Sequence, residues 1–134
     1  MDNEEKDKKK ILLVDDDEMQ HMVVENMLKN EYEVLKAKSG YDALQYLYDS
    51  NCIPDLILLD ILIPDMDGWE IFSRIKAISL LKNVPIAFFT SLQESEDEKR
   101  AYNMGAVDFI KKPYDGDDFL DRIRRILDNT EEQD

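Results

Sequence analysis

Five polar residues of the 134-residue chain have the types and positions that phosphoryl chemistry requires. Asp15 and Asp16 follow the apolar run ILLV, and Asp60 follows the run DLILL. Thr90 ends the run PIAFFT, and Lys112 lies just beyond VDFI. Proteins stabilise the spread negative charge of a transferred phosphoryl group with a divalent cation, a lysine and a hydroxyl group. Together these residues could supply a cation site, an acceptor carboxylate and groups that bind an anion.

The carboxylates among these residues indicate a metal site. Several carboxylates in one place are unfavourable unless a cation neutralises them. Asp15, Asp16 and Asp60 offer only oxygen atoms, with no His or Cys beside them, and such ligands suit a hard ion such as Mg²⁺. We therefore predict that Asp60 accepts a phosphoryl group beside a bound Mg²⁺.

Short apolar runs alternate with segments of helical period along the chain, which predicts about five βα units. The predicted strands are 11–14, 32–37, 55–59, 84–89 and 107–110. Their runs of Ile, Leu and Val are continuous, as in strands buried on both faces, so we predict an α/β fold with a parallel sheet between two helical layers. In such sheets, ligands bind beyond the carboxyl ends of the strands, where the candidate residues lie.

Each candidate residue alone has an ordinary structural explanation. An Asp after a strand is commonly a helix N-cap, which is the role we predict for Asp17, and Lys111 is expected to be solvated. A Thr at a strand end is often without function. The functional interpretation is favoured because Asp, Asp, Thr and Lys occur together at the same end of four apolar strands.

Local patterns predict the ends of several helices. Ser39 with Asp42, and Ser95 with Glu98, have capping-box spacing, and Gly105 is placed to end a helix in the left-handed conformation. The helix predicted over 96–104 has few apolar residues, so we expect it to pack loosely and to be the element that moves.

Charge and composition exclude several classes of function. With 17 Lys and Arg against 31 Asp and Glu, the net charge is −14, which disfavours direct contact with nucleic acid or an anionic membrane. No apolar run approaches the ~20 residues of a membrane span, and the start lacks a signal peptide, so a cytoplasmic protein is expected. Cys52 is the only cysteine and is interpreted as a small buried residue. Residues 1–9 and 129–134 are predicted to be charged tails around a folded unit at 10–128.

The chain resembles the receiver domains of two-component response regulators, including chemotaxis receivers, over about residues 10–128. The resemblance rests on four motifs, ILLVDDDE, DLILLDILIPDMDGWE, PIAFFTS and GAVDFIKKPY, in this order and at these intervals. It implies a doubly wound, flavodoxin-like (βα)5 sandwich with sheet order 2-1-3-4-5. It also implies a signalling switch that catalyses only its own Mg²⁺-dependent phosphorylation and dephosphorylation.

The resemblance gives roles to individual residues. Asp60 would be the phosphoacceptor, with Mg²⁺ (or Mn²⁺) held by Asp16 directly, by Asp15 through a water, by Asp60 and by the backbone carbonyl of Leu62. Lys112, followed by a cis peptide to Pro113, would pair with the phosphoryl oxygens, and Thr90 would bond one of them after moving inward. The space that Thr90 leaves would be filled by rotation of Phe109, so that the face of the fourth helix, fifth strand and fifth helix repacks.

By the same resemblance, the phosphoryl donor would be a sensor histidine kinase or a histidine phosphotransfer protein. The output would be an unidentified protein target or a fused domain. No helix-turn-helix, kinase or cyclase segment follows residue 128, so the chain is expected to be either a single-domain regulator that works by protein contact or a piece of a longer protein. A phosphorylation-dependent homodimer through the same three-element face is a further expectation, and Arg122, Arg124 and Arg125 could serve dimerisation or a target equally well.

Two positions depart from the commoner receiver pattern. Polar side chains that orient the hydrolytic water often occur two residues after the acceptor and two after the Thr, but here these residues are Leu62 and Leu92. Because neither side chain can bond a water, we predict slow self-dephosphorylation.

Three other features are interpreted as structural. Asp65, Asp67 and Gly68 resemble part of a calcium loop, but a twelve-residue loop would end on Arg74 rather than Glu, so Asp67-Gly68 is predicted to be the turn before the third helix. The lone His21 is expected at the surface. Trp69 is expected to pack near the site.

Two alternative functions remain open. Asp15-Asp16-Asp17 satisfies the D-x-D pattern of aspartate-based phosphohydrolases, although so short a chain lacks room for a cap domain, and turnover of phosphate esters would discriminate. A receiver that is never phosphorylated is the other alternative, and the complete set of acceptor, acidic pair, Thr and Lys argues against it.

Overall fold

The computed structural model describes residues 8–49 and 53–132, which form five parallel strands and five α-helices. The elements are β1 (Lys9–Val14), α1 (Glu18–Leu28), β2 (Tyr32–Ala37), α2 (Gly40–Asp49), β3 (Leu56–Leu59), α3 (Gly68–Lys76), β4 (Ile86–Thr90), α4 (Ser95–Met104), β5 (Asp108–Lys111) and α5 (Gly116–Glu132), with a 3-10 turn at Ser79–Leu81. The strand order is β2-β1-β3-β4-β5. The predicted doubly wound α/β fold and its strand order are confirmed.

The core has two layers because the central strands are buried on both faces. Leu12 and Val14 of β1 pack on one side with the apolar residues of α2 and α3. Ile11 and Leu13 pack on the other side with those of α1 and α5. Burial of alternate residues on opposite faces explains why the strands are continuous apolar runs.

Three of the predicted helix boundaries are confirmed. Asp17 is the N-cap of α1, its side chain accepting from the Met19 amide at 3.0 Å. The Ser39 hydroxyl accepts from the Asp42 amide at 2.9 Å. Gly105 ends α4 with φ 109°, a left-handed conformation that glycine adopts without a Cβ clash.

The capping box predicted at Ser95 and Glu98 is wrong. The N-cap of α4 is Glu94, one residue earlier, and its side chain makes no capping bond. The Glu94 carbonyl already accepts from the amides of Asp97 and Glu98, so Ser95 lies inside the helix rather than at its cap. As predicted, α4 is weakly apolar, with Ala101 as its buried residue.

The last helix is longer than its apolar period predicts. α5 continues to Glu132, beyond the predicted end of the folded unit at residue 128 and into the predicted tail. Cys52 lies outside the described residues, so its interpretation stays a prediction. Among the helices of residues 8–49 and 53–132, none has the length and apolar character needed to cross a membrane.

Candidate functional site

The carboxyl ends of β1 and β3 bring two aspartates to the same edge of the sheet. The backbone ladder continues one residue past each strand, since the Asp15 amide donates to Ala37 O at 3.1 Å and the Asp60 amide to Val14 O at 3.0 Å. Both side chains are nearly inaccessible, at 1% for Asp15 and 6% for Asp60. The parallel register therefore fixes two buried carboxylates side by side.

Lys112, just after β5, reaches across β4 to both carboxylates. Its Nζ lies 2.7 Å from Asp15 Oδ2 and 3.3 Å from Asp60 Oδ2. Nζ also lies over the ring of Phe89, 4.9 Å from the ring centroid. The peptide between Lys112 and Pro113 is cis, as predicted. The structure thus brings the predicted lysine to the predicted acceptor.

Asp16 completes a group of three carboxylates. Asp15, Asp16 and Asp60 each offer one oxygen, and these oxygens all lie within 4.8 Å of one another. Asp16 is exposed, whereas the other two are buried, so the group opens to solvent on the Asp16 side. Three carboxylates balanced by the single charge of Lys112 leave an excess of negative charge, and this oxygen-only set fits a hard divalent cation.

The protonation equilibria of the site reflect burial and charge. Burial raises the pKa of Asp60, the charge of Asp15 raises it further, and Lys112 only partly opposes them. Burial alone would lower the pKa of Lys112, but the hydrogen bond to Asp15 and the charges of both aspartates outweigh it and raise the pKa. Lys112 is therefore a fixed positive charge at neutral pH.

Thr90 and Phe109 lie on one face of neighbouring strands. In the register of β4 and β5, Phe88 pairs with Phe109 and Thr90 with Lys111, so Thr90 and Phe109 are diagonal neighbours. Thr90 is fully buried and Phe109 is 2% exposed. The Phe109 ring already lies inside the protein, 6.4 Å from the Phe88 ring, so the expected rotation stays a prediction.

The two leucines that depart from the receiver pattern flank the site. The Leu62 amide donates to Asp60 Oδ1 at 3.2 Å, while its side chain is exposed. The Leu92 amide lies 3.4 Å from Thr90 Oγ1, a long bond, and its side chain packs partly against the core. The predicted role of the Leu62 carbonyl as a metal ligand stays a prediction.

The loop after Asp60 is a turn into α3, as predicted. Asp67 is the N-cap of α3 and accepts from the Glu70 amide at 2.9 Å. A Cβ on Gly68 would lie 2.5 Å from Asp60 O and 2.6 Å from Ile61 Cα, so this position requires glycine. The start of α3 is therefore packed directly on the backbone of the candidate acceptor.

The prediction that His21 lies at the surface is wrong. The residue is 2% exposed and its Nε2 lies 2.7 Å from Asp15 O, while Nδ1 is buried with no hydrogen-bond partner among residues 8–49 and 53–132. The ring turns inward because α1 begins directly after the turn of Asp15, Asp16 and Asp17. This start places the position of His21 over the end of β1. The pattern of apolar residues in α1 did not reveal the burial of His21. Histidine counts as a polar residue in that pattern, although here it lies on the buried side of the helix.

Three further contacts lie near the site, and those of Gln93 and Arg100 have no clear signal in the sequence. The Gln93 side chain donates to the Lys112 carbonyl at 2.7 Å and so connects the loops after β4 and β5. Trp69 packs on Phe88, with ring centroids 5.0 Å apart, which confirms its predicted packing role. The guanidinium of Arg100 lies over the Trp69 ring at 4.1 Å and connects α4 to α3.

Lys111 and the three arginines of α5 form ion pairs at the surface. Lys111 is partly exposed and lies 3.4 Å from Glu98. Arg122 bonds both Asp108 and Asp118, and Arg125 lies 3.4 Å from Asp121. Arg124 bonds Glu31 through two nitrogens. The three arginines of α5 thus contact acidic side chains of the same chain rather than forming a simple basic face.

Comparison with known proteins places these features in a family. Residues 11–124 match the family model of the response regulator receiver domain. The chain is 38% identical over 122 residues to the transcriptional regulatory protein CrdR of Helicobacter pylori, covering 90% of this chain and 56% of that protein. It is 33% identical over 125 residues to histidine kinase P4 of Formosa agariphila, covering 93% of this chain and 9% of that protein.

A solved structure gives the same fold. The crystal structure of a CheY-like response regulator receiver domain protein from Methanospirillum hungatei is 32% identical, with a TM-score of 0.83, and the match covers 95% of this chain and 99% of that one. The chain spans about half of one curated relative, at 56%, and a small part of the other, at 9%. The similarity therefore concerns one domain of these longer proteins.

Proposed function

Because the chain belongs to the response regulator receiver domain family, we propose that it is a phosphorylation switch whose acceptor is Asp60. The donor is the phosphohistidine of a sensor histidine kinase or of a histidine phosphotransfer protein. The observation that carries the proposal is the position of Lys112 Nζ, 3.3 Å from Asp60 Oδ2, beside a second buried carboxylate. This is an acceptor oxygen with a fixed cation next to it.

The transfer step follows from these groups. An oxygen of Asp60 forms the new bond to phosphorus as the bond from phosphorus to the donor's imidazole nitrogen breaks. Lys112 then balances charge on the phosphoryl oxygens, and Thr90 donates its hydroxyl hydrogen to one of them. Asp15, Asp16, Asp60 and the Leu62 carbonyl would hold Mg²⁺, which when bound neutralises charge on the phosphoryl group.

The signal leaves the site through Thr90 and Phe109. Movement of Thr90 toward Asp60 would free space beside Phe109 and repack the face formed by α4, β5 and α5. This relay is supported by the burial of both residues on the same face of the sheet. Repacking would alter affinity for a protein target, a fused output domain or a second copy of the chain.

The phosphohydrolase alternative has less support. In a D-x-D pair Asp17 would act on the substrate, but its carboxylate caps α1 by accepting from the Met19 amide. Asp17 therefore caps a helix. It is not one of the three residues whose carboxylate oxygens lie within 4.8 Å of one another.

Labelling by acetyl phosphate tests the proposed function. Wild type incubated with acetyl phosphate and Mg²⁺ should gain the mass of one phosphoryl group, and chelation of the metal should abolish the gain. Asp60→Asn should not be labelled, whereas Asp49→Asn, at an exposed carboxylate that accepts from the Gln45 side chain, should be labelled like wild type. Equal labelling of Asp60→Asn would exclude Asp60 as the acceptor.

A further inference from the structure

His21 stands apart among the buried polar residues. The described residues contain four of them, Asp15, His21, Asp60 and Thr90, and the proposed function uses all except His21. An imidazole with one nitrogen unpaired is an unfavourable occupant for a core position, because an aliphatic residue would fill the space without leaving a buried acceptor unsatisfied. Its hydrogen bond to Asp15 is therefore the feature that packing does not explain.

The ring bond acts on the peptide that carries Asp16. The Asp15 carbonyl lies beyond the last residue of β1, and it accepts from His21 Nε2 at 2.7 Å. Since a carbonyl only accepts, Nε2 carries the hydrogen. This carbonyl belongs to the peptide bond between Asp15 and Asp16, so the hydrogen bond fixes the plane from which the Asp16 side chain leaves the backbone.

His21 also contacts the other end of the acidic turn. Its backbone amide donates to Asp17 O at 3.2 Å. The Asp17 amide in turn donates to Asp15 Oδ1 at 2.9 Å. The His21 ring thus holds the first carbonyl of the turn from Asp15 to Asp17, and the His21 amide holds the last carbonyl. Both bonds lie on the buried side of the turn and orient the exposed Asp16 toward solvent.

We propose that His21 is a positioning residue that orients Asp15 and Asp16 and thereby sets the Mg²⁺ affinity of the site. This inference rests on the proposed function, because it assumes that the acidic residues bind the metal. Groups that orient the ligands of a metal typically change its affinity by about 10- to 100-fold when they are lost.

Calorimetric titration with Mg²⁺ tests the inference in three variants. His21→Leu removes the ring donor and should weaken Mg²⁺ binding by about 10-fold or more. His21→Gln places an amide Nε2–H at a similar distance along the side chain and should restore affinity to within about 3-fold of wild type, since the donor is retained. Val24→Ala removes buried volume from the same helix and should lower stability with little change in Mg²⁺ affinity.

A measurement on wild type covers the case in which His21→Leu fails to fold. The chain contains one histidine, so nitrogen-15 NMR of its imidazole needs no assignment by mutation. The hydrogen should reside on Nε2, and saturation with Mg²⁺ should shift the Nε2 resonance. A Mg²⁺-insensitive resonance, or a foldable His21→Leu with wild-type Mg²⁺ affinity, overturns the role of His21 alone. A wild-type protein that binds no Mg²⁺ overturns the proposed metal site and this inference with it.

Discussion

Lys112 is bonded more closely to Asp15 than to Asp60, with Nζ–Oδ2 distances of 2.7 and 3.3 Å. The other oxygen of Asp15 also has a short bond, 2.9 Å from the Asp17 amide, whereas Asp60 Oδ1 lies 3.2 Å from the Leu62 amide. Asp15 therefore anchors the lysine, and Asp60 is the less tightly bonded carboxylate. An acceptor must present an available oxygen, and Asp60 meets this condition better.

Removing the lysine should leave two buried carboxylates without their cation. We expect Lys112→Met to lower the free energy of unfolding by about 3 kcal/mol at pH 7 without metal, because loss of one partner of a buried pair leaves uncompensated charge. Lys111→Met should lower the free energy of unfolding by less than about 1 kcal/mol, since the ion pair of Lys111 with Glu98 is partly exposed. Urea unfolding measures both. Equal losses in the two variants would mean that Lys112 does not neutralise the site.

The exposed side chain of Leu62 should determine how long the phosphoryl group survives. Wild type should retain it well beyond seconds without a phosphatase, because neither Leu62 nor Leu92 can orient a water. Leu62→Asn should shorten the half-life by about tenfold by positioning that water. Leu80→Asn changes a leucine that is 78% exposed in the 3-10 turn and should have no effect. A wild-type half-life of seconds or less would contradict this prediction.

Most of the fold and much of the site geometry could be predicted because they follow from strand periodicity. A parallel sheet places all strand ends at one edge, so Asp15, Asp60 and Lys112 had to approach one another once the strands were recognised. The motifs then supplied the strand order, which periodicity alone does not determine.

The errors arose where a backbone partner that residue spacing does not reveal decides the outcome. Nothing in the sequence around His21 shows that its ring will bond the Asp15 carbonyl, so the sequence predicts that this polar residue lies at the surface. The spacing of Ser95 and Glu98 matches a capping box, but Glu94 is the N-cap and Ser95 is already the first residue of the helix. Local patterns cannot distinguish such cases, because the competing partner is another backbone group.

Helix α4 should exchange its amide hydrogens faster than the other helices. It buries Ala101, whereas α3 buries Ile71, Phe72 and Ile75, so opening α4 exposes less apolar surface. Hydrogen exchange with mass spectrometry measures this difference. Slower exchange in α4 than in the other helices would contradict it.

The stacking of Arg100 on Trp69 should be a measurable restraint on α4. Arg100→Gln removes a cation 4.1 Å from the ring, and we expect exchange in α4 to rise about two- to fivefold, as for a loss of about 0.5–1 kcal/mol. Emission of Trp69, the only tryptophan, should change as well. Lys99→Gln removes the same charge from an exposed neighbour and should change neither quantity.

Asp65 should make stability depend on pH through the start of α2. Its two oxygens accept from the amides of Gly40 at 3.0 Å and Tyr41 at 2.9 Å. Burial alone would raise the pKa of Asp65, but these backbone bonds outweigh it and the pKa is lowered. The stabilisation is therefore complete above the unfolded pKa of about 3.9 and is lost as pH falls through the lower folded value.

Asp65→Asn keeps only one accepting oxygen and should lower the free energy of unfolding by about 1 kcal/mol or less at pH 7. The difference in the free energy of unfolding between the variant and wild type should shrink as pH falls below about 4. Protonation of Asp65 then weakens the same hydrogen bonds in wild type. Urea unfolding across this range measures it, with Asp49→Asn as a control. A difference that stays constant to acidic pH would show that the ionised carboxylate does not stabilise the helix.

Gly68 should be the glycine least able to accept a side chain. The Cβ of an alanine there would lie 2.5 Å from Asp60 O and 2.6 Å from Ile61 Cα, and these backbone atoms can move only if Asp60 moves with them. We expect Gly68→Ala to lower the free energy of unfolding by about 1–3 kcal/mol. We also expect slower labelling by acetyl phosphate, because the strain falls on Asp60.

Gly116 provides the matched control for this change. A Cβ there would meet Met27 Sδ at 3.6 Å, an ordinary contact, at the first residue of α5. Gly116→Ala should be neutral or stabilise by up to about 1 kcal/mol, since alanine loses less conformational freedom in a helix. Labelling should be unchanged. If Gly68→Ala unfolds at the wild-type urea concentration and is labelled at the wild-type rate, α3 does not hold the acceptor in place through this contact.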